Sequence, residues 1–145
     1  MPASFISEFF SKSEKQTLDY GNNLGKKFYG QSVIIAFMGD LGAGKTTLIK
    51  GIAKGLKTKD AVCSPTFSYL NIYSSQTPIH HFDLYRLKNS DDFFAMGFDE
   101  FFYKKGICLI EWAEKIEHIL PKKSYLLNIY HQDVDQRHII LSQLT

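Results

Sequence analysis

One eight-residue segment constrains this chain more than any other feature of its sequence. Residues 39–46 read Gly-Asp-Leu-Gly-Ala-Gly-Lys-Thr, the complete G-x-x-x-x-G-K-[ST] pattern of a phosphate-binding loop. A loop so rich in Gly can turn its backbone N–H groups inward around a phosphate chain, while Lys45 neutralises the β and γ oxygens and Thr46 ligates Mg²⁺. The segment therefore predicts a site for a nucleotide and its metal ion.

The segments on both sides of this loop agree with that prediction. Residues 33–38 are all apolar, as expected for a strand that is buried on both faces of a sheet. After the loop, Leu48, Ile52 and Leu56 recur at every fourth position, and Gly55 lies where a helix can end. The N-terminus of such a helix adds N–H groups and the positive end of its dipole to the phosphate site. We therefore expect nucleotide contacts along the loop, at Leu41, Gly42, Ala43, Gly44, Lys45, Thr46 and Thr47.

Length and charge narrow the class of protein. The 145 residues predict a single domain over residues 1–145, which would bury about 68–70% of the surface that its unfolded chain exposes. The chain has 17 Lys and Arg against 15 Asp and Glu, a formal net charge of +2, which does not by itself indicate binding to a polyanion. Arg86 and Arg137 are the two arginines, so only they could serve as an internal arginine finger.

The cysteines and the apolar segments bear on the compartment. Cys63 and Cys108 are isolated in the sequence, without the spacing of a zinc site or a disulfide framework. Residues 1–7 lack the basic and apolar regions of a signal peptide, and nowhere do 18 apolar residues run together. These patterns favour a cytoplasmic protein.

The remaining hydrophobic patterns predict an α/β fold. Ser13 and Gln16 have the spacing of a capping box, and apolar residues then recur at every fourth position, so a helix is expected over 14–29. Residues 107–110 form a second apolar run of strand length. Together the patterns predict a three-layer, P-loop NTPase-like fold: a mixed sheet with parallel core strands, antiparallel edge hairpins and helices on both faces. The other expected elements are an edge strand at 4–10, hairpins at 67–73 with 79–84 and at 124–130 with 138–144, two short helical turns within 91–103, and a short helix at 113–120.

Two acidic residues follow predicted strands at the edge where the loop also lies. A phosphate-binding loop needs an acidic residue at a strand end to complete the Mg²⁺ shell, directly or through water. Glu111 fits this role, although an exposed Glu at the start of a helix would show the same pattern. Asp83 could hold a metal-bound water or orient the attacking water, but it could also pair with Arg86 or cap the next turn. Asp40, inside the loop, would repel a γ-phosphate if it pointed at it, so we expect it to face away or to position a water.

A third segment has two interpretations. Ser64-Pro65-Thr66 lies between the helix after the loop and the next predicted strand. A Thr in such a loop can sense the γ-phosphate and Mg²⁺, as the residues of switch loops do. Alternatively, Pro65 begins the strand and Thr66 caps it, and the spacing does not distinguish the two.

Four segments taken together resemble one bacterial family. They are Gly39-Asp40-Leu41-Gly42-Ala43-Gly44-Lys45-Thr46-Thr47, Ser64-Pro65-Thr66-Phe67, His81-Phe82-Asp83-Leu84-Tyr85-Arg86 and Glu111-Trp112-Ala113-Glu114. Their order and approximate spacing are those of the TsaE family, formerly the YjeE ATPases. TsaE proteins are small cytosolic ATPases that are needed, with TsaB and TsaD, to make threonylcarbamoyl-adenosine beside the anticodon of tRNAs that read codons beginning with A. The resemblance covers about residues 13–114, and the C-terminal hairpin matches in pattern only.

The resemblance implies an ATPase with ATP and Mg²⁺ as cofactors, TsaB and TsaD as partners, and tRNA reached indirectly through their complex. It implies Mg²⁺ ligation by Thr46 and Glu111, and a catalytic or water-mediated metal role for Asp83. With Lys45, these two acidic residues form the expected catalytic set.

Five further residues are compared with the family pattern. A switch-like role is implied for Ser64 and Thr66. Thr17 matches a family Thr that lies near the adenine. Ala113 stands where many members have Pro, a departure that touches no expected ligand, and Trp112 would lie beside the nucleotide or belong to the core.

Other functions are also compatible with parts of the sequence. A small-molecule or nucleoside kinase would use Asp83 as its general base, but the chain has no Arg-rich lid to clamp a transferred phosphoryl group. A GTPase is disfavoured because the guanine-reading pattern N-K-x-D does not occur. Direct RNA binding could use the stripe of Lys50, Lys54 and Lys57, which a solvent-exposed helix face explains better. The aromatic segment 91–103 could dock a partner or belong to the core.

Overall fold

The computed structural model describes residues 2–39, 44–65 and 68–145. Four residues with expected roles lie outside the described residues: the loop contacts Leu41, Gly42 and Ala43, and the switch residue Thr66. The same is true of Asp40 and Phe67. The description below therefore concerns the remainder of the chain.

Seven strands, three α-helices and two 3-10 helices lie within the described ranges. In chain order they are β1 (Ala3–Ser11), α1 (Glu14–Phe28), β2 (Ile34–Gly39), α2 (Lys45–Gly55), β3 (Leu70–Tyr73), β4 (Ile79–Asp83), α3 (Ser90–Ala95), a 3-10 helix (Phe98–Phe102), β5 (Ile107–Glu111), a second 3-10 helix (Ala113–Ile119), β6 (Tyr125–Asp133) and β7 (Gln136–Leu144).

The strands form one mixed sheet in the order β1-β7-β6-β2-β5-β4-β3. The four central strands run parallel, since β2 pairs with β5 and with β6, and β5 pairs with β4. The outer pairings are antiparallel, between β3 and β4 at one edge and among β6, β7 and β1 at the other. The predicted fold class is thus confirmed. The edge strand expected at 4–10 is present as β1, whereas the sequence patterns did not reveal that β6 adds to the parallel core beside β2.

The two faces of the sheet have separate cores. On one face, α1 and α2 cover the side chains of alternate strand residues, among them Ile35, Phe37 and Leu109. On the other face, α3 and the two 3-10 helices cover Ala36, Ile110 and their neighbours. Strands buried on both sides must be apolar at every position, which is why β2 and β5 read as continuous apolar runs.

Helices α1 and α2 are in backbone contact along a seam of four glycines. A Cβ atom added to Gly21 would lie 2.6 Å from the Leu48 carbonyl oxygen, and one added to Gly25 would lie 2.2 Å from that of Ile52. The other two glycines of the seam are Gly51 and Gly55. A Cβ atom added to them would lie 2.3 and 2.2 Å, respectively, from backbone carbonyl oxygens of α1. Gly55 was expected where the helix stops, and it is the last residue of α2, but its lack of a side chain serves this close approach.

The aromatic segment 91–103 is mainly core. Phe93 is fully buried, and Phe98, Phe101 and Phe102 are partly buried against the same cluster. The two expected helical turns are present, joined at Gly97 with φ of 73°. The helix expected over 113–120 is a 3-10 helix with a break at Ile116, whose φ of −128° is not helical.

None of the helices in the described part of the chain has the length and apolar character needed to cross a membrane.

Candidate functional site

The loop of the G-x-x-x-x-G-K-T pattern connects β2 to α2. Glycine is needed at the two ends of this loop for different physical reasons. Gly44 caps the N-terminus of α2 with φ of 90°, a left-handed conformation that favours Gly. At Gly39, with φ of 135°, a Cβ atom would lie 2.1 Å from the Ile129 carbonyl oxygen of β6. The first glycine therefore lets the chain leave the sheet against its neighbour, and the second starts the helix.

Lys45 is the first residue of α2 and its side chain is buried, with 5% of its surface exposed. Among the described residues, its Nζ has no hydrogen-bond partner. The nitrogen lies 4.1 Å from the centre of the Trp112 ring, and this cation–π contact recovers only part of the cost of removing an ammonium from water. A buried cation of this kind fits an anion, and a phosphate is the anion that the loop pattern predicts.

Lys45 opens into a cleft of about 370 Å³. The lining includes residues from four segments that are far apart in the sequence, and most were expected from sequence to act together. The structure thus brings Thr46 and Glu111 to the same cleft, with Asp83 beside them. The lining residues are Gly44, Lys45, Thr46, Ser64, Asp83, Glu111 and Trp112.

Glu111 is the last residue of β5 and is 5% exposed. It is therefore not a solvent-exposed residue at the start of a helix. Its Oε2 lies 2.8 Å from Nε2 of His81, which is itself 1% exposed. Because a carboxylate has no hydrogen to donate, Nε2–H donates to it. Held in this way, Glu111 keeps its other oxygen available to the cleft.

Asp83 is the last residue of β4 and pairs in register with Glu111 on the parallel strand β5. Its Oδ1 accepts a hydrogen bond of 3.0 Å from the Tyr85 N–H, so the turn-capping role that the sequence allowed is present. Burial raises the pKa of Asp83, with the hydrogen bond from Tyr85 acting in the opposite direction and the charge of Glu111 raising it further. A carboxyl with a raised pKa is a better proton acceptor near neutral pH.

A second, smaller cleft of about 180 Å³ shares Gly44 with the first. Thr47 and Thr17 line it, so Thr46 and Thr47 contribute to different clefts. Thr17 is 3% exposed, and its hydroxyl lies 2.6 Å from Oγ of Ser11 and 3.3 Å from the Ser13 carbonyl oxygen. The lining residues are Glu14, Thr17, Gly44, Thr47, Asp135 and Arg137.

Two residues near these clefts were not among the site residues predicted from sequence. His81 contacts Glu111, and the sequence signals for it are its place in the segment 81–86 that resembles the family and its position two residues before Asp83, on the same face of a strand. Arg137 comes from β7, and its Nε would lie 3.4 Å from a Cβ atom at Gly44. The sequence had offered Arg137 as one of two candidates for an internal arginine finger, but nothing local places the C-terminal hairpin beside the loop. Arg86, the other arginine, is exposed.

Within the described residues, no group of three or more His, Cys, Asp and Glu side chains could hold a metal ion. The oxygen donors that the larger cleft does bring together are the Thr46 hydroxyl and the Glu111 and Asp83 carboxylates. Oxygen donors of this kind suit Mg²⁺, which binds one or two carboxylates together with substrate phosphates and waters.

Comparisons with known proteins agree on one family. A family model described as threonylcarbamoyl adenosine biosynthesis protein TsaE matches residues 11–139. A Treponema pallidum (strain Nichols) protein named tRNA threonylcarbamoyladenosine biosynthesis protein TsaE is 36% identical over 119 residues, covering 82% of this chain and 87% of the relative. A protein of the same name from Haemophilus influenzae is 42% identical over 117 residues, covering 79% of this chain and 73% of that relative. The crystal structure of Bacillus subtilis YdiB is similar with a TM-score of 0.78 and 29% identity, covering 100% of this chain and 89% of YdiB.

Proposed function

The chain belongs to the TsaE family of tRNA threonylcarbamoyladenosine biosynthesis proteins, and from that premise we propose that it is an ATPase that binds ATP with Mg²⁺. We propose further that it acts in this biosynthesis together with TsaB and TsaD and reaches tRNA through their complex. The observation that carries the proposal is the buried Lys45 ammonium, which has no hydrogen-bond partner among the described residues and faces a cleft with Glu111 and Thr46.

In this proposal the phosphates lie at the N-terminus of α2. The N–H groups of the first helical turn point out of the helix end without partners in the helix, and the dipole there favours negative charge. Lys45 supplies the positive charge that neutralises the β and γ oxygens. The glycine at position 44 lets the backbone approach the phosphates closely, since no Cβ intervenes.

Thr46 and Glu111 would hold Mg²⁺ from opposite segments of the cleft, one through a hydroxyl and one through the carboxylate oxygen that His81 leaves free. When bound, the metal ion neutralises charge that develops on the phosphate oxygens. Asp83 would orient the attacking water and accept its proton, which its raised pKa favours. Trp112 closes one side of the cleft over Lys45.

The test compares the wild-type protein with Lys45→Met, which keeps the apolar stem and removes the charge. Calorimetry with Mg²⁺ and ATP should show binding by the wild type and an affinity at least about 30-fold weaker in the variant, since a charge-assisted hydrogen bond contributes roughly 2 kcal/mol. Thermal melting without nucleotide serves as the control. Because the variant loses a buried ammonium that has no hydrogen-bond partner in the described part of the chain, it should melt no lower than the wild type.

Turnover separates an ATPase from a kinase. Phosphate release should be slow for the isolated protein and rise when TsaB and TsaD are added.

Equal ATP affinity in the wild type and Lys45→Met would overturn the nucleotide site. Phosphoryl transfer to a small metabolite, without stimulation by TsaB and TsaD, would replace the ATPase proposal by the kinase alternative.

A further inference from the structure

Three polar side chains form a diagonal across one buried face of the sheet. Tyr73 on β3 is in register with Ile79 on β4, and His81 is the next residue of β4 on that face. His81 is in register with Leu109 on β5, and Glu111 is the next residue of β5 on that face. Diagonal neighbours on adjacent strands are within reach of long side chains. The register therefore lines up Tyr73, His81 and Glu111 toward the cleft.

Their polar atoms are connected without a break. Oε2 of Glu111 lies 2.8 Å from Nε2 of His81, and Nδ1 of His81 lies 2.9 Å from the Tyr73 hydroxyl. The Tyr73 hydroxyl has one hydrogen, which it can donate to Nδ1 of His81 or to the Cys63 carbonyl oxygen 2.8 Å away, and it accepts from the Cys63 N–H at 3.2 Å. The chain of contacts thus runs from the cleft to the backbone of residue 63.

The connecting side chains are shielded from water, with 1% of His81 and 4% of Tyr73 exposed. Hydrogen bonds in a low-dielectric interior are strong, and a buried partner left unsatisfied costs about 1–3 kcal/mol. Burial also raises the pKa of Tyr73, with its hydrogen bonds acting in the opposite direction, so its hydroxyl keeps a hydrogen to donate. A shift of one member therefore forces its neighbours to follow or to lose a partner.

We call the path from Glu111 through His81 and Tyr73 to Cys63 the relay. Its far end adjoins Ser64, for which a switch-like role was one expectation. Residues 61–65 belong to neither a helix nor a strand. Cys63 is held by both backbone contacts to Tyr73, and its carbonyl oxygen also accepts from Nδ2 of Asn71 at 3.0 Å. Ser64, the next residue, lines the cleft beside Glu111. The relay thus leaves the cleft at Glu111 and returns to it next to Ser64.

We propose that His81 and Tyr73 are positioning residues that couple the Glu111 carboxylate to the backbone of residues 63–65. A change at Glu111 on nucleotide binding is then transmitted through two buried side chains to the segment that brings Ser64 to the same cleft. This inference rests on the proposed function, because Glu111 responds to a nucleotide only if the cleft binds one. It adds His81 and Tyr73, which do not line the cleft themselves, to the residues that set its response.

The chain carries its own reporter for this coupling. Cys63 is exposed, whereas Cys108 is buried and burial raises its pKa to about 12. A thiol reagent therefore reports on Cys63 almost alone, because the thiolate is the reactive form. The labelling rate of Cys63 measures the conformation of the segment without depending on turnover.

The experiment measures that rate with and without Mg²⁺ and a non-hydrolysable imido analogue of ATP. In the wild type, the nucleotide should change the rate about fivefold or more, the lower end of typical coupling between sites. Tyr73→Phe keeps the ring and removes the hydroxyl, so it should bind the analogue with unchanged affinity but label at one rate in both conditions. It should also lower kcat without raising KM.

His81→Gln provides an independent variant, since its amide can still donate to Glu111 but does not span to Tyr73. It should show the same loss of response, and the double variant should lose no more than either single one, as expected for residues that act as one unit. Asn71→Ala is the matched control. It removes the contacts of Nδ2 with the Cys63 carbonyl oxygen at 3.0 Å and with the Cys63 Sγ at 3.7 Å while Tyr73 and His81 remain, so it should raise the basal labelling rate and retain the nucleotide-dependent ratio.

The outcomes distinguish the relay from the proposed function. If the wild type binds the analogue by calorimetry but Cys63 labelling does not respond, the relay is overturned and the nucleotide site stands. The relay is also overturned if either Tyr73→Phe or His81→Gln keeps the wild-type ratio of Cys63 labelling rates with and without nucleotide. If the wild type binds no nucleotide, the proposed function fails and this inference fails with it.

Discussion

Individual side chains in the larger cleft are held in environments that are unfavourable until a ligand is present. The Lys45 ammonium is buried over the ring of Trp112 and has no hydrogen-bond partner among the described residues. The Asp83 and Glu111 carboxyls end neighbouring strands and repel each other, which contributes to the raised pKa of Asp83. A cation and two acidic groups at one cleft are complementary to a phosphate chain with its metal ion.

Asp83 should make the stability of the free protein depend on pH. Its pKa is raised above the ordinary value of 3.8 on folding, so the folded state holds the proton more tightly than the unfolded state. The free energy of unfolding therefore falls as pH rises from about 3.8 through the raised folded value. Asp83→Asn removes this penalty and still accepts from the Tyr85 N–H. We expect it to melt about 2 °C above the wild type at pH 7, with the difference vanishing near pH 4.

The measurement is a series of thermal melts from pH 4 to pH 8 without nucleotide. Activity should be lost in the same variant, because the amide cannot accept a proton. A variant that melts below the wild type at pH 7 would show that the Asp83 carboxylate stabilises the fold, contrary to this account.

At the scale of elements, the close contact of α1 and α2 along the glycine seam shapes the smaller cleft. The seam lets the backbones of the helices touch, which no residue with a side chain would permit at these distances. Thr17 on α1 thereby lies in the same cleft as Gly44 and Thr47 at the start of α2. A wider separation of the helices would move Thr17 away from the loop.

Gly25→Ala should destabilise the protein because the added methyl group would lie 2.2 Å from a backbone oxygen of α2. Overpacking of this kind costs about 1–3 kcal/mol, although Ala is the better helix former by about 1 kcal/mol. Because the clash at 2.2 Å is with the backbone, the upper part of the overpacking range applies, and urea unfolding should show a net loss of about 1–2 kcal/mol. Asn23→Ala, at an exposed position of the same helix, is the control and should not lower stability. An unchanged midpoint for Gly25→Ala would mean that the helices separate freely.

At the scale of the whole molecule, the strand order brings the functional residues to one edge of the sheet. The chain places β5 and β4 on one side of β2 and β6 on the other. The carboxyl ends of these parallel strands share one edge, and the crevice where the strand order reverses is where ligands bind in such sheets. Lys45 at the start of α2, Asp83 at the end of β4 and Glu111 at the end of β5 all lie at that edge.

Because a bound nucleotide would bridge α2 and two strands, it should stabilise the whole domain. At 100 times its Kd, Mg²⁺–ATP is expected to add about 2.7 kcal/mol, which corresponds to a rise of about 5–10 °C in Tm for a domain of this size. Differential scanning fluorimetry across a concentration series measures it. Lys45→Met should show no rise in Tm at the same ATP concentrations. The wild type with ATP and excess chelator should show a smaller rise in Tm than with Mg²⁺–ATP. A Tm independent of nucleotide would contradict binding at this cleft.

The sequence by itself determined the features that depend on local spacing. The strand before the loop, the helix after it, the helix at the N-terminus, both hairpins and the acidic residues at strand ends all follow from periodicity and turn chemistry over a few residues. The similarity of four short motifs to one family is of the same kind, since it needs only residue types and their order.

Only the tertiary structure decided which distant segments are neighbours. Periodicity tells which residues share a face of a strand but not which strand lies beside it. The contact of His81 with Glu111, the path through Tyr73 to Cys63, the glycine seam and the position of Arg137 beside Gly44 all depend on strand order and register. These are set by long-range burial of two apolar faces, which is a property of the whole chain rather than of any segment of it.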